Sequence, residues 1–126
     1  MTNMSPLEKD VIARLLDHQF QQPSLTKDVL GKLVAKSREF SQDALDGTKC
    51  AGFYLNFIEN DILKDAGELP RQVALHANCD ELPTGAEFLL FFRSAGGVDF
   101  LEASFYGDAL DKSELLRGAY CFKFQG

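Results

Sequence analysis

The strongest constraint on the fold is an alternation of apolar and polar residues with a period of two, which begins at Cys50. Every second residue of Phe53–Phe57 is large and apolar, and every second residue of Val73–Cys79, beginning with Val73, is again apolar. This alternation is typical of half-buried β-strands, whose side chains point in turn to the two faces of a sheet. Leu82–Gly85 and Ser94–Gly97 are rich in turn residues and predict tight connections between strands.

Three further segments extend this series of strands. Glu87–Arg93 is almost entirely apolar and predicts a central strand that is covered on both faces. Val98–Tyr106 predicts its hairpin partner, and Ala119–Phe124 predicts a final strand. Asn60–Pro70 is polar and predicts a long connection with one helical turn. We therefore expect about six strands.

A helix with a well-marked start precedes the strands. Ser5-Pro6-Leu7-Glu8 is a capping box with proline at the first helical position. The apolar residues then recur at helical spacing, and Pro23 predicts the end of the helix. The predicted apolar stripe consists of Leu7, Val11, Ile12, Leu15 and Leu16.

Residues 24–41 suit either a helix or a strand. Val29, Leu30 and Leu33 have helical spacing and Thr26 could cap a helix, but Gly31 interrupts the pattern. We favour a short helix or turn, followed by a strand from about Lys32 to Ser41. Asp43–Gly47 predicts a loop.

The order of these elements predicts the fold class. One helix followed by consecutive strands, without strand–helix–strand alternation, argues against a doubly wound parallel sheet. We expect residues 1–126 to form a single α+β domain, in which the N-terminal helix packs on a mainly antiparallel sheet.

Charge and cysteine content narrow the range of functions. The chain has 13 basic and 19 acidic residues, a formal net charge of −6. This charge argues against binding to nucleic acid or to anionic membranes and is compatible with a basic protein partner. Cys50, Cys79 and Cys121 are odd in number and widely spaced, as expected for reduced thiols. Met1–Asp10 contains no apolar run, so we expect no secretory signal and a cytoplasmic protein.

Three segments carry a resemblance to other proteins. They are Cys50–Phe57, Ala86–Arg93 and Gly97–Gly107, the last containing Leu101-Glu102 and ending Tyr106-Gly107. Together they resemble a group of small, uncharacterised bacterial proteins with a GFY-type strand and a hairpin ending Leu-Glu-Gly/Ala-x-x-Tyr-Gly. The resemblance implies a bacterial cytosolic α+β domain, with an extended segment around residues 37–40. It implies no activity, so no catalytic residue follows from it.

The sequence offers few groups for catalysis or metal binding. His76, Cys79 and Asp80 could in principle bind a metal, but strand alternation places His76 and Cys79 on opposite faces. No nucleophile elbow and no nucleotide-binding loop occurs, so we predict no catalytic residue, no metal and no cofactor. Glu102 is the most interesting carboxylate because apolar residues flank it. It suits a solvated position on the outer face, an ion pair with Arg38 or Arg93, or a catalytic or ligand-binding role.

The predicted outer face of the sheet is the candidate binding surface. If Phe53, Leu101 and Phe105 point towards the helix, the opposite face carries aromatic and hydrogen-bonding side chains, which specific recognition surfaces favour. Arg38 would join this face if its strand is correct, whereas a layer formed by Leu110–Leu116 would cover it. The predicted binding residues are Tyr54, Asn56, His76, Asn78, Glu102, Ser104 and Tyr106.

Three functions remain open from the sequence. The first is a non-catalytic interaction module, such as an acidic inhibitor or immunity-like protein that binds a basic protein. The alternative is a small-ligand-binding or sensory domain. The third, less favoured, is a small enzyme that uses Glu102 with His76 and Tyr106. The unpaired edges of the sheet also suit a homodimer.

Overall fold

The helices lie on one side of a seven-stranded antiparallel sheet in the computed structural model, which describes residues 2–42 and 47–125. The predicted α+β class, with an N-terminal helix packed on an antiparallel sheet, is therefore confirmed, with seven strands rather than about six. The strand order is β1-β2-β5-β4-β3-β7, and β6 pairs with β2. The elements are α1 (Pro6–Phe20), α2 (Pro23–Lys32), β1 (Ala35–Gln42), β2 (Lys49–Phe57), β3 (Gln72–Cys79), β4 (Leu82–Phe92), β5 (Val98–Ser104), β6 (Leu110–Asp111), α3 (Lys112–Arg117) and β7 (Lys123–Phe124).

The start of α1 has the predicted capping box. The Glu8 amide donates to Ser5 Oγ at 3.2 Å, and the Ser5 amide donates to Glu8 Oε1 at 2.7 Å. The helix ends at Phe20, and Gln21 follows in the left-handed conformation as its C-cap. Pro23 thus opens α2 instead of simply ending α1, because proline also suits the first turn of a helix.

Residues 24–41 contain both of the predicted elements, with a different boundary. Helix α2 has ten residues and reaches Lys32, where the strand was predicted to begin, and β1 starts at Ala35. Thr26 does not cap α2, since it lies inside the helix and its hydroxyl donates to Asp17 Oδ1 at 2.6 Å. The extended segment implied around residues 37–40 lies within β1. Residues 43–46 of the predicted loop are outside the described part of the chain.

The predicted turn at Leu82–Gly85 is wrong. These residues begin β4, and the turn is the shorter Asp80-Glu81, because Cys79 already pairs with Leu82. Gly85 lies instead within β4, where the pairing with β3 is irregular between Ala77 and Cys79. Its φ is +84°, and a Cβ at this position would lie 2.8 Å from the Ala77 carbonyl oxygen and 2.9 Å from two atoms of the His76 ring. The positive φ and the close approach of the Ala77 backbone therefore favour glycine here.

The C-terminal part also differs from the prediction. The strand expected at Ala119–Phe124 is reduced to β7, two residues that pair with Ala77 and Asn78 of β3. The Leu110–Leu116 segment forms β6 and most of α3, and α3 packs against α1. Of the three described helices, none is both long and apolar enough to cross a lipid bilayer.

The core lies between the helices and one face of the sheet. Val11, Ile12, Leu15 and Leu16 of the predicted α1 stripe are fully buried. The sheet residues that were predicted to point towards the helix are all buried, as the alternation required. They are Phe53, Leu55, Phe57, Val73, Leu75, Leu101, Ala103 and Phe105.

Candidate functional site

The second face of the sheet, which we call the open face, lies opposite the helices. Helix α1 packs against β3 and β4 from the core side, and α2 and α3 pack against α1. Because α3 joins this helical layer, the Leu110–Leu116 segment does not cover the open face. The strand residues predicted to occupy this face alternate with buried ones and are half-buried or exposed. They are Tyr54, Asn56, His76, Asn78, Glu102 and Ser104.

Strand register arranges the open face in rows that run across the strands. Residues directly opposite each other in antiparallel strands have Cβ atoms about 4.5–5.5 Å apart, so members of a row are neighbours. The central row is Glu39, Tyr54, Glu102, Leu89 and Ala74. The aromatic row beside it is Ser37, Asn56, Phe100, Phe91 and Gln72, and the histidine row on the other side is Ser41, Gly52, Ser104, Glu87 and His76.

Three aromatic side chains cluster across the central and aromatic rows. The Phe91 and Phe100 rings stack with their centroids 4.3 Å apart, and the Tyr54 ring lies 6.1 Å from that of Phe100. Tyr54 is 37% exposed. Rings in such arrangements attract each other and present a large apolar contact area. The cluster therefore gives the open face a partly exposed aromatic surface.

Phe91, Phe100 and Leu89 are absent from the predicted binding residues. The apolar run in β4 suggested a strand covered on both faces, but Leu89 and Phe91 point to the open face and are only half-buried. The alternation that placed Glu102 outward places Phe100 outward as well, since the two are two residues apart. The same rule applied from Glu87 would have found Leu89 and Phe91.

The acidic residues of the open face have little charge compensation from the chain. Glu102 is half-buried and makes no hydrogen bond or ion pair with any described residue. Glu39 accepts one long contact from Asn56 Nδ2, at 3.5 Å. Glu87 lies in the histidine row, diagonal to Glu102. The central part of this face is therefore negatively charged, and Lys123 lies at its far edge, opposite Asn78.

Neither arginine that was considered as a partner of Glu102 contacts it. Arg38 is on the core side of β1, so it does not join the open face, and its Nε and Nη2 bind the two carboxylate oxygens of Glu8 at 2.8 and 2.6 Å. Arg93 binds Asp99, with Nη2 3.0 Å from Oδ1. The ion pair that the sequence left open as one alternative for Glu102 is therefore formed with neither arginine.

A second polar cluster forms at the end of the histidine row. The ring centroids of His76 and Tyr106 are 6.3 Å apart, and Tyr106 is 46% exposed with a φ of 55°. Desolvation raises the pKa of Tyr106, and the negative charge of the neighbouring Glu87 raises it further. The carboxylate that joins His76 and Tyr106 is thus Glu87. The grouping of Glu102 with these two residues, on which the enzyme hypothesis depended, is not formed.

The other predicted residues have separate surroundings. Asn56 Nδ2 donates to Ser37 Oγ at 3.1 Å, and the Tyr106 amide donates to Ser104 Oγ at 3.4 Å. Asn78 is exposed at the margin of the face. The structure therefore brings Tyr54, Asn56, Glu102 and Ser104 together on β2 and β5, and leaves Asn78 apart from them.

Thiols and metal ligands do not form a second site in the described ranges. No group of three or more His, Cys, Asp or Glu residues among them could hold a metal ion. Cys79 is buried, which together with a hydrogen bond to Glu81 raises the pKa of its thiol to about 11. Burial also raises the pKa of Cys50. Both thiols are therefore protonated and unreactive near neutral pH, and Cys121 is exposed.

Two recesses are relevant to the small-ligand alternative. One of about 510 Å³ lies between the connection that precedes β3 and the hairpin turn after β4, with Leu63, Arg71 and Arg93 in its wall. Another of about 360 Å³ opens beside α1, where the Arg14 guanidinium lies 4.6 Å from the centroid of the Phe124 ring. One arginine in each recess already forms an ion pair within the chain. Arg93 binds Asp99 in the first recess, and Arg14 binds Asp10 in the second.

Comparisons of the chain with family models, with curated proteins and with solved structures gave no match.

Proposed function

We propose that this protein is a non-catalytic interaction module whose open face binds a basic protein partner. The observation that carries the proposal is the central row, where Glu102 is half-buried beside aromatic rings without a cationic partner among the described residues. An inhibitor or immunity-like role, in which the module occupies a basic surface of another protein, is the specific form of this function that we favour.

The distribution of charge supports a basic partner. Glu39, Glu87 and Glu102 occupy three of the strands that form the open face, and the whole chain carries a net charge of −6. Complementary charge raises association rates and suppresses the binding of acidic competitors. A partner that places Arg or Lys over this face would therefore associate quickly at low salt and more slowly as salt screens the attraction.

The aromatic cluster supports a protein partner in particular. Tyr54, Phe91 and Phe100 provide contact area with few rotatable bonds, so their ordering on binding costs little conformational entropy. Interfaces are enriched in such residues near their centres, surrounded by polar groups. On this face Asn56, Glu39 and Glu102 supply those polar groups.

Affinity capture with matched charge variants tests this function. The immobilised wild-type protein and its Glu102→Lys and Asp65→Lys variants are incubated with lysate of the native host at low salt. Asp65 is exposed and lies in the connection before β3, outside the open face. Both substitutions change the net charge by the same amount, so general electrostatic attraction is equally weakened in the two variants.

We expect the wild type and Asp65→Lys to retain the same basic protein, and Glu102→Lys to retain at least about tenfold less of it, since truncating or reversing a central contact costs more than about 1.4 kcal/mol. Retention should fall with increasing salt. Equal retention by all three proteins, or a captured partner of acidic charge, would refute the proposal.

A further inference from the structure

The geometry of the central row points to a preference for arginine over lysine in the partner: we infer that Tyr54, held between Glu39 and Glu102, receives a guanidinium group. This inference rests on the proposed function and specifies the chemistry of the partner at that same face. It concerns one side chain of the basic partner rather than the whole interface.

The position of Tyr54 is the first step of the argument. Tyr54 of β2 is directly opposite Glu39 of β1 on one side and Glu102 of β5 on the other. Its ring is therefore flanked by a carboxylate on each neighbouring strand, with Cβ atoms about 4.5–5.5 Å away. The 37% exposure of Tyr54 leaves part of the side chain accessible to a partner.

The chemistry of guanidinium groups is the second step. A guanidinium is planar and weakly hydrated, so it stacks on an aromatic ring while its N–H groups donate to carboxylates in the same plane. An ammonium group is compact and strongly hydrated and cannot make both contacts with the same geometry. A row that alternates carboxylate, ring and carboxylate therefore favours arginine.

The surroundings of the row strengthen this preference. The ring centroids of Phe100 and Tyr54 are 6.1 Å apart, and the Phe100 ring stacks on that of Phe91. Other aromatic side chains therefore pack against one side of the Tyr54 ring. Leu89 continues the row beyond Glu102. Apolar neighbours reduce the local hydration of Glu102, which makes a charge-assisted hydrogen bond to it stronger than at a fully exposed position.

The arginine site on the core side of the same sheet shows what the open face lacks. Arg38 binds both oxygens of Glu8 and the Asn3 carbonyl, and it satisfies a buried carboxylate within the chain. Glu102 is half-buried beside apolar side chains and has no arginine among the described residues. A partner that displaces water from Glu102 would have to supply that cation.

Two synthetic peptides serve as probes: acetyl-(Gly-Arg)6-amide and acetyl-(Gly-Lys)6-amide, which are equal in length and charge. Each is titrated at low salt into the isotopically labelled wild-type protein and into the Tyr54→Leu and Glu102→Gln variants, and binding is followed by amide chemical-shift changes in two-dimensional NMR. Leucine keeps an apolar side chain at position 54 but removes the aromatic ring.

We expect the arginine peptide to bind the wild type roughly two- to fivefold more tightly than the lysine peptide, the range that one cation–π contact provides. The shift changes should centre on β2 and β5. In Tyr54→Leu the two peptides should bind with nearly equal affinity, and the affinity for the lysine peptide should change little. Glu102→Gln should weaken both peptides, because it removes charge rather than the stacking surface.

The outcomes separate the inference from the proposed function. Equal binding of both peptides at the open face of the wild type would overturn the arginine preference and leave the basic-partner function in place. An arginine preference that persists in Tyr54→Leu would also overturn it, since the selectivity would then come from another residue. Shift changes confined to surfaces outside β2 and β5 would overturn the inference and, together with failure of the capture experiment, the function as well.

Discussion

Arg38 and Glu102 show two ways in which one sheet accommodates charge. Arg38, on the core side of β1, is 13% exposed in its side chain and forms a two-point contact with Glu8, whose side chain is fully buried. Glu102, two strands away on the open face, is half-buried and has no partner among the described residues. The charge on the core side is compensated by Arg38, whereas Glu102 on the open face has no such compensation from the residues that the structure describes.

The difference shows that a carboxylate on the core side requires a cation from within the chain, whereas one on the open face does not. Burying an ion without compensation costs several kcal/mol, so the core side can hold Glu8 only because Arg38 and the Ser5 amide satisfy it. The open face tolerates Glu102 because water still reaches it. A partner that replaces this water must bring a cation, which is why the uncompensated face is the one suited to binding.

The largest effect that distinguishes the two faces is expected from Leu101→Asp. Leu101 is fully buried on β5, directly opposite Leu55 and Leu90. A carboxylate at this position would be buried without a partner, so we expect a loss of more than about 4 kcal/mol and an unfolded domain. Circular dichroism and urea denaturation measure the result.

Asn56→Asp is the matched control for Leu101→Asp. It adds the same single charge to the neighbouring strand, but on the open face, where Asn56 is half-buried. The aspartate would lose the donation from Asn56 Nδ2 to Ser37 Oγ and would lie beside the Glu39 carboxylate, so we expect a loss of about 1–2 kcal/mol, well below that of Leu101→Asp. Similar destabilisation by the two substitutions would show that both faces are buried in solution, and the assignment of an open face would be withdrawn.

Arg38→Met is expected to have the next largest effect. It leaves Glu8 buried with only the Ser5 amide as a partner, and breaking such a pair costs about 3–5 kcal/mol. Adding Glu8→Gln should recover a substantial part of that loss, because glutamine is neutral and can still complete the capping box. Chemical denaturation of the wild type, both single variants and the double variant gives the coupling energy.

A coupling energy near zero would contradict the comparison between the two faces. It would mean that Arg38 stabilises the fold through its other contacts, such as the one to the Asn3 carbonyl, rather than through Glu8. In that case the charge on the core side would not be compensated by this pair.

Much of the fold could be predicted from local patterns. The capping box at Ser5, the α1 stripe and the alternation in β2, β3 and β5 each depend on residues close in sequence, and the structure has them as expected. The wrong prediction at residues 82–85 came from two local turn signals that compete. These residues resemble a turn, but they begin β4 because Asp80 and Glu81 already form the two-residue turn that pairs Cys79 with Leu82.

The candidate site was less predictable, because it depends on contacts between strands that are distant in sequence. Alternation placed Tyr54 and Glu102 on one face, and the hairpin predicted that β5 pairs with β4, but neither shows the register or that β2 lies on the other side of β5. The order β2-β5-β4 brings Phe91 next to Phe100 and Glu87 next to Ser104, and these contacts follow only from the register. Arg38, which the sequence placed on this face only on condition that its strand is correct, lies on the core side, and a bulge between Ala35 and Ser37 shifts the alternation at the start of β1.

Glu102→Ala is expected to have the smallest effect on stability. It is also the most direct test of the difference between the core side and the open face of the sheet. Glu102 makes no hydrogen bond or ion pair with the described residues, so its loss should change the free energy of unfolding by less than about 1 kcal/mol. Removing a negative charge diagonal to Glu87 should offset part of the lost packing. Urea melts of Glu102→Ala and the wild type at the same salt concentration check this. Destabilisation as large as that of Arg38→Met would mean that Glu102 is compensated within the chain after all, and the open face would then have no uncompensated charge to offer a basic partner.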